Sequence, residues 1–457
     1  MTITGDRNML DGLRDLKLKD ILYGVLLISL LFSFCAVPQV FAISSLDDWP
    51  MFHHDLTRTG YSTSTAPTTP VILWNYTTGH VVWASPAVVG GYVYIPSDDS
   101  KVYCLNASTG AQIWNYTTRG PLGSSAAVAG GYVYVGSYDR NFYCLNASTG
   151  VKVWNFTTGD TVESCPAVAG GYVYIGSWDG NVYCLDAATG TKIWNYTTGG
   201  LVESSPAVAN GYVYVGSVDS NVYCLDALTG TKVWNFTTGN VVQSSPAVIG
   251  DYVYIGSEDN NVYCLNASTG TKIWNYPTQG WVDSSPAVAD GYVYVGSWDG
   301  DNNVYCLDAA TGEKIWNYTT QGGVNSSPAV AGGYVYVGGW DGNVYCFDAS
   351  TGAKIWNYAT QSHVNSSPAI AGGIVYVGSW DHGVYAFGTP STTTTPSAST
   401  SPSPSPSSSP SEQTTPSPTP QPTPSIPTET IYAVAAVIAV VVIVAVALMQ
   451  RRQKKNA

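Results

Sequence analysis

Residues 204–238, SSPAVANGYVYVGSVDSNVYCLDALTGTKVWNFTT, are one copy of the unit from which most of this chain is assembled. The Ser-Pro-Ala-Val start of the unit recurs at Ser85, Ser205, Ser245, Ser285 and Ser327, and as Ser-Pro-Ala-Ile at Ser367, with Cys165 in place of Ser in one copy and Ser125-Ala126-Ala127-Val128 as a degenerate one. Copies are forty residues apart, and forty-two where Asp301 and Asn302 lengthen the turn after Trp298-Asp299-Gly300. A fixed period of this size is the signature of a repeat architecture.

Each unit reads as four short strands: Pro206 to Ala209, Tyr212 to Val215, Asn221 to Leu225 and Lys232 to Phe236. Tyr, Val, Ile and Trp dominate these runs, and polar-Gly, Ser-x-Asp-x-Asn and Ala-x-Thr-Gly signals separate them, so strands and tight turns win over helix. Apolar residues occupy both alternating faces, as expected for a small sheet covered on both sides. Four antiparallel strands per forty residues is the period of a β-propeller blade.

The fourth-strand Trp appears at Trp114, Trp154, Trp194, Trp234, Trp274, Trp316 and Trp356, with an early extra one, Trp74, in Val71 to Tyr76. The last unit has three strands, through Phe387, and no fourth. The spacing therefore predicts an all-β, eight-bladed β-propeller over residues 71–388, in which the N-terminal strand at 71–76 completes the C-terminal blade and removes an open sheet edge.

Outside the repeats, an apolar run at 21–42 follows Arg14, Lys17 and Lys19 and ends Val40-Phe41-Ala42, so residues 1–42 read as a signal peptide. Residues 43–70 form a leader segment. Residues 389–430 are rich in Ser, Thr and Pro and read as an extended stalk, since such a composition buries no core. Residues 431–449 are uncharged and apolar, ~28 Å long as a helix against a hydrocarbon core of about 30 Å. Arg451, Arg452, Lys454 and Lys455 follow, which places the tail at 450–457 in the cytoplasm and the propeller outside a single-pass cell membrane anchor. Charged residues make up only 11% of the chain and the net charge is -13, which excludes the basic patch that nucleic acid binding requires.

Seven of the nine cysteines share one repeat position (Cys104, Cys144, Cys184, Cys224, Cys264, Cys306 and Cys346). With strands about 4.8 Å apart, equivalent third-strand residues of adjacent blades lie ~12 Å from one another, beyond the ~7 Å reach of a disulfide. They read as buried free thiols, as does Cys165. A ring of hairpin aspartates (Asp99, Asp139, Asp179, Asp219, Asp259, Asp299, Asp341, Asp381) reads as turn chemistry, since one carboxylate per blade is a poor ligand set. Asn-x-Ser/Thr sequons at Asn75, Asn106, Asn115, Asn146, Asn155, Asn195, Asn235, Asn266, Asn317, Asn325 and Asn365 are glycan acceptors in an external protein, although their place in the repeat gives many of them strand or turn reasons to exist. The five histidines show no paired spacing, and no nucleophile-elbow context occurs.

The repeats differ at two places. Before the hairpin Asp they carry Asp98, Tyr138, Trp178, Val218, Glu258, Trp298, Trp340 and Trp380; two places before the Ser-Pro start they carry Trp83, Gly123, Glu163, Glu203, Gln243, Asp283, Asn325 and Asn365. Strand alternation sends both connections to the same face of the disc. Aromatic platforms beside carboxylates and amides there can hold a sugar or peptide, with Trp178, Trp298, Trp340, Trp380, Glu163, Glu203 and Asp283 as the candidate contacts.

Asp186-Ala-Ala-Thr-Gly-Thr-Lys-Ile-Trp194 and Asp348-Ala-Ser-Thr-Gly-Ala-Lys-Ile-Trp356 resemble the PQQ-like repeat of the quinoprotein-type eight-bladed propellers. That resemblance implies a Trp of each blade docked near a Gly of the next. It also embraces quinone-dependent dehydrogenases, an outer-membrane assembly lipoprotein and non-catalytic surface proteins. The dehydrogenase branch uses an adjacent Cys-Cys disulfide, a calcium held by Glu, Asn and Asp, and a catalytic Asp; this chain has no adjacent cysteines, and its connections are short and uniform. The leader, stalk and terminal helix are similar to those of archaeal cell-surface proteins bearing these repeats. The expectation is a non-catalytic, membrane-anchored display or binding module without cofactor, meeting a cell-envelope glycan, peptide or protein. The alternatives are a PQQ- and calcium-dependent oxidoreductase and an envelope assembly scaffold.

Overall fold

The computed structural model describes residues 48–389. Within them the chain forms eight sheets, seven of four antiparallel strands and one extended to five by a short parallel strand, β1 (Tyr61–Ser62). The expected signal peptide, membrane helix, basic tail and Cys35, and all of the stalk but Thr389, lie outside the described residues. Blades are numbered from the one whose inner strand is Ala87–Val89; the inner strand of blade 8 is Ala369–Ala371. In blade 4 the strands run Ala207–Ala209, Tyr212–Gly216, Asn221–Asp226 and Lys232–Thr237. The second and third are buried on both faces because blades pack on either side of them. The outer strand alternates, with Trp234 buried between exposed Val233 and Asn235. Ring closure is as the spacing predicts: β2 (Ile72–Thr77) pairs antiparallel with Gly383–Phe387 and supplies the outer strand of blade 8.

One carbonyl per junction joins the blades. The indole Nε1 of Trp114 and the hydroxyl of Tyr94, both in blade 1, donate to the Ala147 carbonyl of blade 2, at 2.9 and 3.4 Å. The same pair of donors converges on Ala187, Ala227, Ala267, Ala309, Ala349 and Ala107 around the ring. The Thr-Gly turn next to this carbonyl lets the indole lie flat: Gly110 has φ 70°, and a Cβ there would sit 2.7 Å from the ring of Trp74. Left-handed backbone and a ring at contact distance both demand glycine. A second girdle lies nearer the axis, where the amide of Ser85 donates to Ser125 Oγ and so on through Cys165 Sγ, Ser205, Ser245, Ser285, Ser327 and Ser367 back to Ser85. These eight buried bonds measure 2.8 to 3.2 Å. Cys165 is thus a member of the ring.

The leader does not stand outside the propeller. From Trp49 onward it winds through the axial channel and visits the inner strands in order. Trp49 exchanges backbone bonds with Val88, and the carbonyls of Pro50, Leu56, Thr57, Thr59 and Gly60 accept the amides of Val128, Val208, Val248, Val288 and Val330. Blade 3 is met by a side chain instead. Arg58, fully buried, donates to the carbonyls of Cys165, Pro166, Pro206 and Phe52. Inner strands otherwise present an unpaired backbone edge to the channel, and the leader satisfies it. It also completes a junction: blade 8 has no Ala-x-Thr-Gly turn, and Pro67 provides the carbonyl for Trp356 and Tyr336.

All eight described cysteines are free and buried, and burial pushes the seven third-strand thiols up to about 12. Thiolate is the reactive form, so iodoacetamide at pH 8 should leave these eight unmodified in the folded protein and alkylate all of them in denaturant, read by intact mass. Arg58→Ala should destabilise the chain by about 3 kcal/mol in denaturant unfolding, because four buried carbonyls lose their donor. Arg58→Lys should recover only part of the loss, since a point ammonium cannot span the same fork; an unchanged midpoint in Arg58→Ala would show that the leader does not brace the ring.

Candidate functional site

The two variable positions of each blade are held side by side by the backbone. The amides of Trp178, Val218, Glu258, Trp298, Trp340 and Trp380 donate to the carbonyls of Thr161, Leu201, Val241, Trp281, Gly323 and His363, each two residues before the variable connection residue. Side chains from both positions therefore gather around one mouth of the channel.

The hairpins owe their shape to the aspartates beneath them. Asp179 Oδ1 accepts the amide of Asn181, while Oδ2 accepts the Tyr183 hydroxyl and the Gly159 amide of the incoming connection. This clasp recurs in the other blades and uses the carboxylate fully, as the turn reading expects. One assignment is corrected: in blade 6 the clasp residue is Asp301, bonded to Tyr305 and Gln279, and not Asp299. The two extra residues are Asp299 and Gly300, which bulge outward with φ of 52° and 104°.

Half of the mouth is aromatic. Of the four candidate tryptophans, Trp298, Trp340 and Trp380 are neighbours, with ring centroids 5.2 and 6.1 Å apart. The arc is longer than the sequence suggested. Trp83 packs on Trp380 at 4.1 Å, Trp281 on Trp298 at 5.3 Å, and His363 lies 5.2 Å from Trp340 and 5.0 Å from Trp380. Trp178 stands apart, beside Tyr138 at 5.9 Å.

The other half is acidic. Glu163, Glu203, Glu258 and Asp283 come from blades 3 to 6 and act on one another in series, with Asp98 acting on Glu163. Burial raises the Glu163 carboxyl, opposed by the Tyr138 hydroxyl and aided by Asp98. Burial, then Glu163 and Glu258, push Glu203 up to about 7. Burial and Glu258 push Asp283 up to about 7 against the bond from Trp298, Nε1 to Oδ2 at 2.7 Å. Six polar atoms of the mouth are wholly buried without a hydrogen-bond partner: Nε1 of Trp178, Trp340 and Trp380, and the side-chain oxygens Oδ1 of Asp283, Asn325 and Asn365. Unpaired buried groups of this kind cost about 1–3 kcal/mol each, so the mouth is built with hydrogen-bonding capacity that the protein itself leaves unused.

The sequons divide by role. Asn155, Asn195, Asn235 and Asn317 donate across the strand pair to Asn141, Asn181, Asn221 and Asn303, and Asn275 and Asn357 do the same outside any sequon. Asn106, Asn146 and Asn266 accept turn amides just as Asp186 and Asp226 do in other blades. Strand and turn bonding accounts for both sets without glycans. Asn75 and Asn115 lie exposed on the outer strands of blades 8 and 1.

A concavity of about 530 Å³ lies between the leader and blades 5 and 6, lined by Tyr61, Ile249, Val288 and Asp290 among others. The carboxylate of Asp55 in it is already saturated by the amides and hydroxyls of Thr57 and Thr59. Although burial raises Asp55, bonds from His54, Thr59 and Thr57 outweigh that and hold it at about 2. Among the described residues no group of three or more His, Cys, Asp or Glu is placed to hold a metal ion.

The raised carboxyls set a pH dependence. The folded state keeps Glu203 and Asp283 protonated up to about 7, whereas the unfolded chain releases those protons near pH 4. The folded state thus binds more protons across this window, and stability falls as pH rises through it. The unfolding midpoint should be higher at pH 5.5 than at pH 8, and Glu203→Gln with Asp283→Asn should flatten that slope; a double variant with the full slope would place its origin elsewhere.

The fold and the repeat agree with comparisons to known proteins. The family described as outer membrane protein assembly factor BamB matches residues 60–165, 158–248, 218–323 and 300–415. No curated protein sequence matches the chain. Among solved structures, BamB from Moraxella catarrhalis superposes with a TM-score of 0.62 at 19% identity, over 70% of this chain and 99% of that one. A europium-containing methanol dehydrogenase gives 0.67 at 15%, over 76% and 98%. The quinohemoprotein alcohol dehydrogenase of Comamonas testosteroni gives 0.66 at 18%, over 77% and 81%. At such identities the structural likeness is one of fold alone, and it spans dehydrogenases and BamB alike. The four matched segments together cover well over half of the sequence, and the chain belongs to the PQQ-repeat family described as outer membrane protein assembly factor BamB.

Proposed function

We propose that this protein is a non-catalytic binding module of the cell envelope, displayed outside a single-pass membrane anchor, and that the aromatic mouth takes an envelope glycan. The observation that carries this reading is the arc from Trp281 to Trp83 with its buried, unpartnered indole N–H and amide oxygen atoms. A sugar ring presents a C–H face to stack on indole and hydroxyls that both donate and accept, which answers every feature of the arc at once.

The fold family implies PQQ with a metal as the alternative, and the residues present do not match that group. The eight described cysteines are separate free thiols, and no group of acidic side chains has metal-ligand geometry among the described residues. A second reading, a scaffold for envelope assembly, is supported by the family description and by the BamB likeness. It predicts a protein partner at the same mouth.

The test is a titration of the full-length chain, by intrinsic fluorescence and thermal shift, against envelope glycans, envelope peptides, and PQQ with calcium. Saturable glycan binding should weaken about tenfold in Trp340→Ala or Trp380→Ala, the scale of one aromatic contact worth about 1.4 kcal/mol. Saturable binding of peptides alone would favour the scaffold reading. A midpoint raised by PQQ and calcium, together with dye-linked alcohol oxidation, would overturn the proposal.

A further inference from the structure

Resting on the binding reading above, we propose that the ligand of the mouth is cationic: an amine-bearing saccharide whose ring lies on the Trp298–Trp340–Trp380 arc and whose ammonium groups meet Glu203, Glu258 and Asp283. The two halves of the mouth differ in chemistry, and a neutral sugar would use only one of them. Glu203 feels Glu163 and Glu258, Asp283 feels Glu258 and Glu203 and is tied to the arc by the bond from Trp298, and none of the four takes part in an ion pair among the described residues; the pairs present are His54–Asp55, His80–Asp98 and Lys101–Asp99. Such a set gains by admitting a positive charge and loses by admitting a negative one.

The acidic half alone would suit any cation. The six unpartnered atoms narrow the choice, because they include both donors and acceptors: the indole N–H groups of Trp178, Trp340 and Trp380, and the oxygens of Asp283, Asn325 and Asn365. Ammonium groups alone are donors only and would leave the indoles unanswered, whereas saccharide hydroxyls answer both kinds. Ammonium beside tryptophan gains further from the ring face. Facing Glu203 are Glu163, Glu258, Asp283 and Tyr138; facing Asp283 are Glu258, Glu203 and Trp298. A bound cation draws the protons off Glu203 and Asp283, so affinity for a ligand of fixed charge rises with pH.

The probes are a β-1,4-linked glucosamine hexamer, its N-trimethylated form of fixed charge, its fully acetylated counterpart and hexalysine, each titrated into the full-length chain in salt of physiological strength. The trimethylated hexamer should bind at least tenfold tighter than the acetylated one at pH 7.5, and the advantage should shrink at pH 5.5. Glu203→Gln with Asp283→Asn should abolish the advantage, so that the variant binds the charged and the acetylated hexamers equally. Equal affinity for acetylated and charged hexamers would overturn the cationic assignment while the glycan reading stands. Hexalysine binding as tightly as the trimethylated hexamer would overturn the saccharide assignment, and silence from every probe would count against both.

Discussion

Eight blades become one molecule through a carbonyl shared by two donors. At seven of the eight junctions a Trp indole and a Tyr hydroxyl from one blade reach the same carbonyl oxygen of the next, beside a turn that only glycine can make, and at the eighth the leader's Pro67 supplies the carbonyl. Each contact is modest, about 1 kcal/mol for the bonds plus about 2–3 kcal/mol for burying the indole. Repetition around a closed ring gives them their force. An open array of repeats needs polar caps at its ends, and closure by residues 72–77 and by Pro67 removes both ends.

Much of this was open to reading from the residues. Strand positions follow from the alternation of Tyr and Val and from the Thr-Gly turn, and the missing fourth strand at Phe387 together with the surplus Trp74 reveals the closure. What eluded the repeat pattern lay where the pattern is silent. The leader has no periodicity, so nothing in Trp49 to Pro67 by itself indicates that its carbonyls are spaced to meet successive inner strands. The misplaced clasp in blade 6 has a different cause. Matching the letters Trp-Asp-Gly pointed to Asp299, whereas the physical requirement is a Tyr four residues on, and Asp301 with Tyr305 meets it as Asp179 with Tyr183 does. The spacing that carries the contact was present in the sequence and outranks the residue match.

The mouth was half legible for a similar reason. Position within the repeat shows that Trp298, Trp340 and Trp380 share a face, because equivalent residues in a ring must. It does not show that Trp83, from the other class of position, meets Trp380 across the closure, or that His363 fits between two indoles. Those contacts depend on the curvature of the ring and on which side chains lean inward. The same holds for the carboxylates: their crowding is a property of neighbouring blades, and each copy taken alone looks like an ordinary solvated acid.

Near-identical repeats invite loss or gain of whole units by recombination, and seven of the eight blade junctions here are chemically interchangeable, so those junctions alone would accept a ring of another size. The threaded leader is not interchangeable. Its carbonyls meet blades 1, 2, 4, 5, 6 and 7 in turn, Arg58 reaches blade 3, and Ser64 closes on Gly373 of blade 8, one circuit matched to one circumference. A ring with a blade deleted would keep its junctions and strand them against a leader cut for eight. The segment that carries no repeat is therefore the part of the chain that counts them.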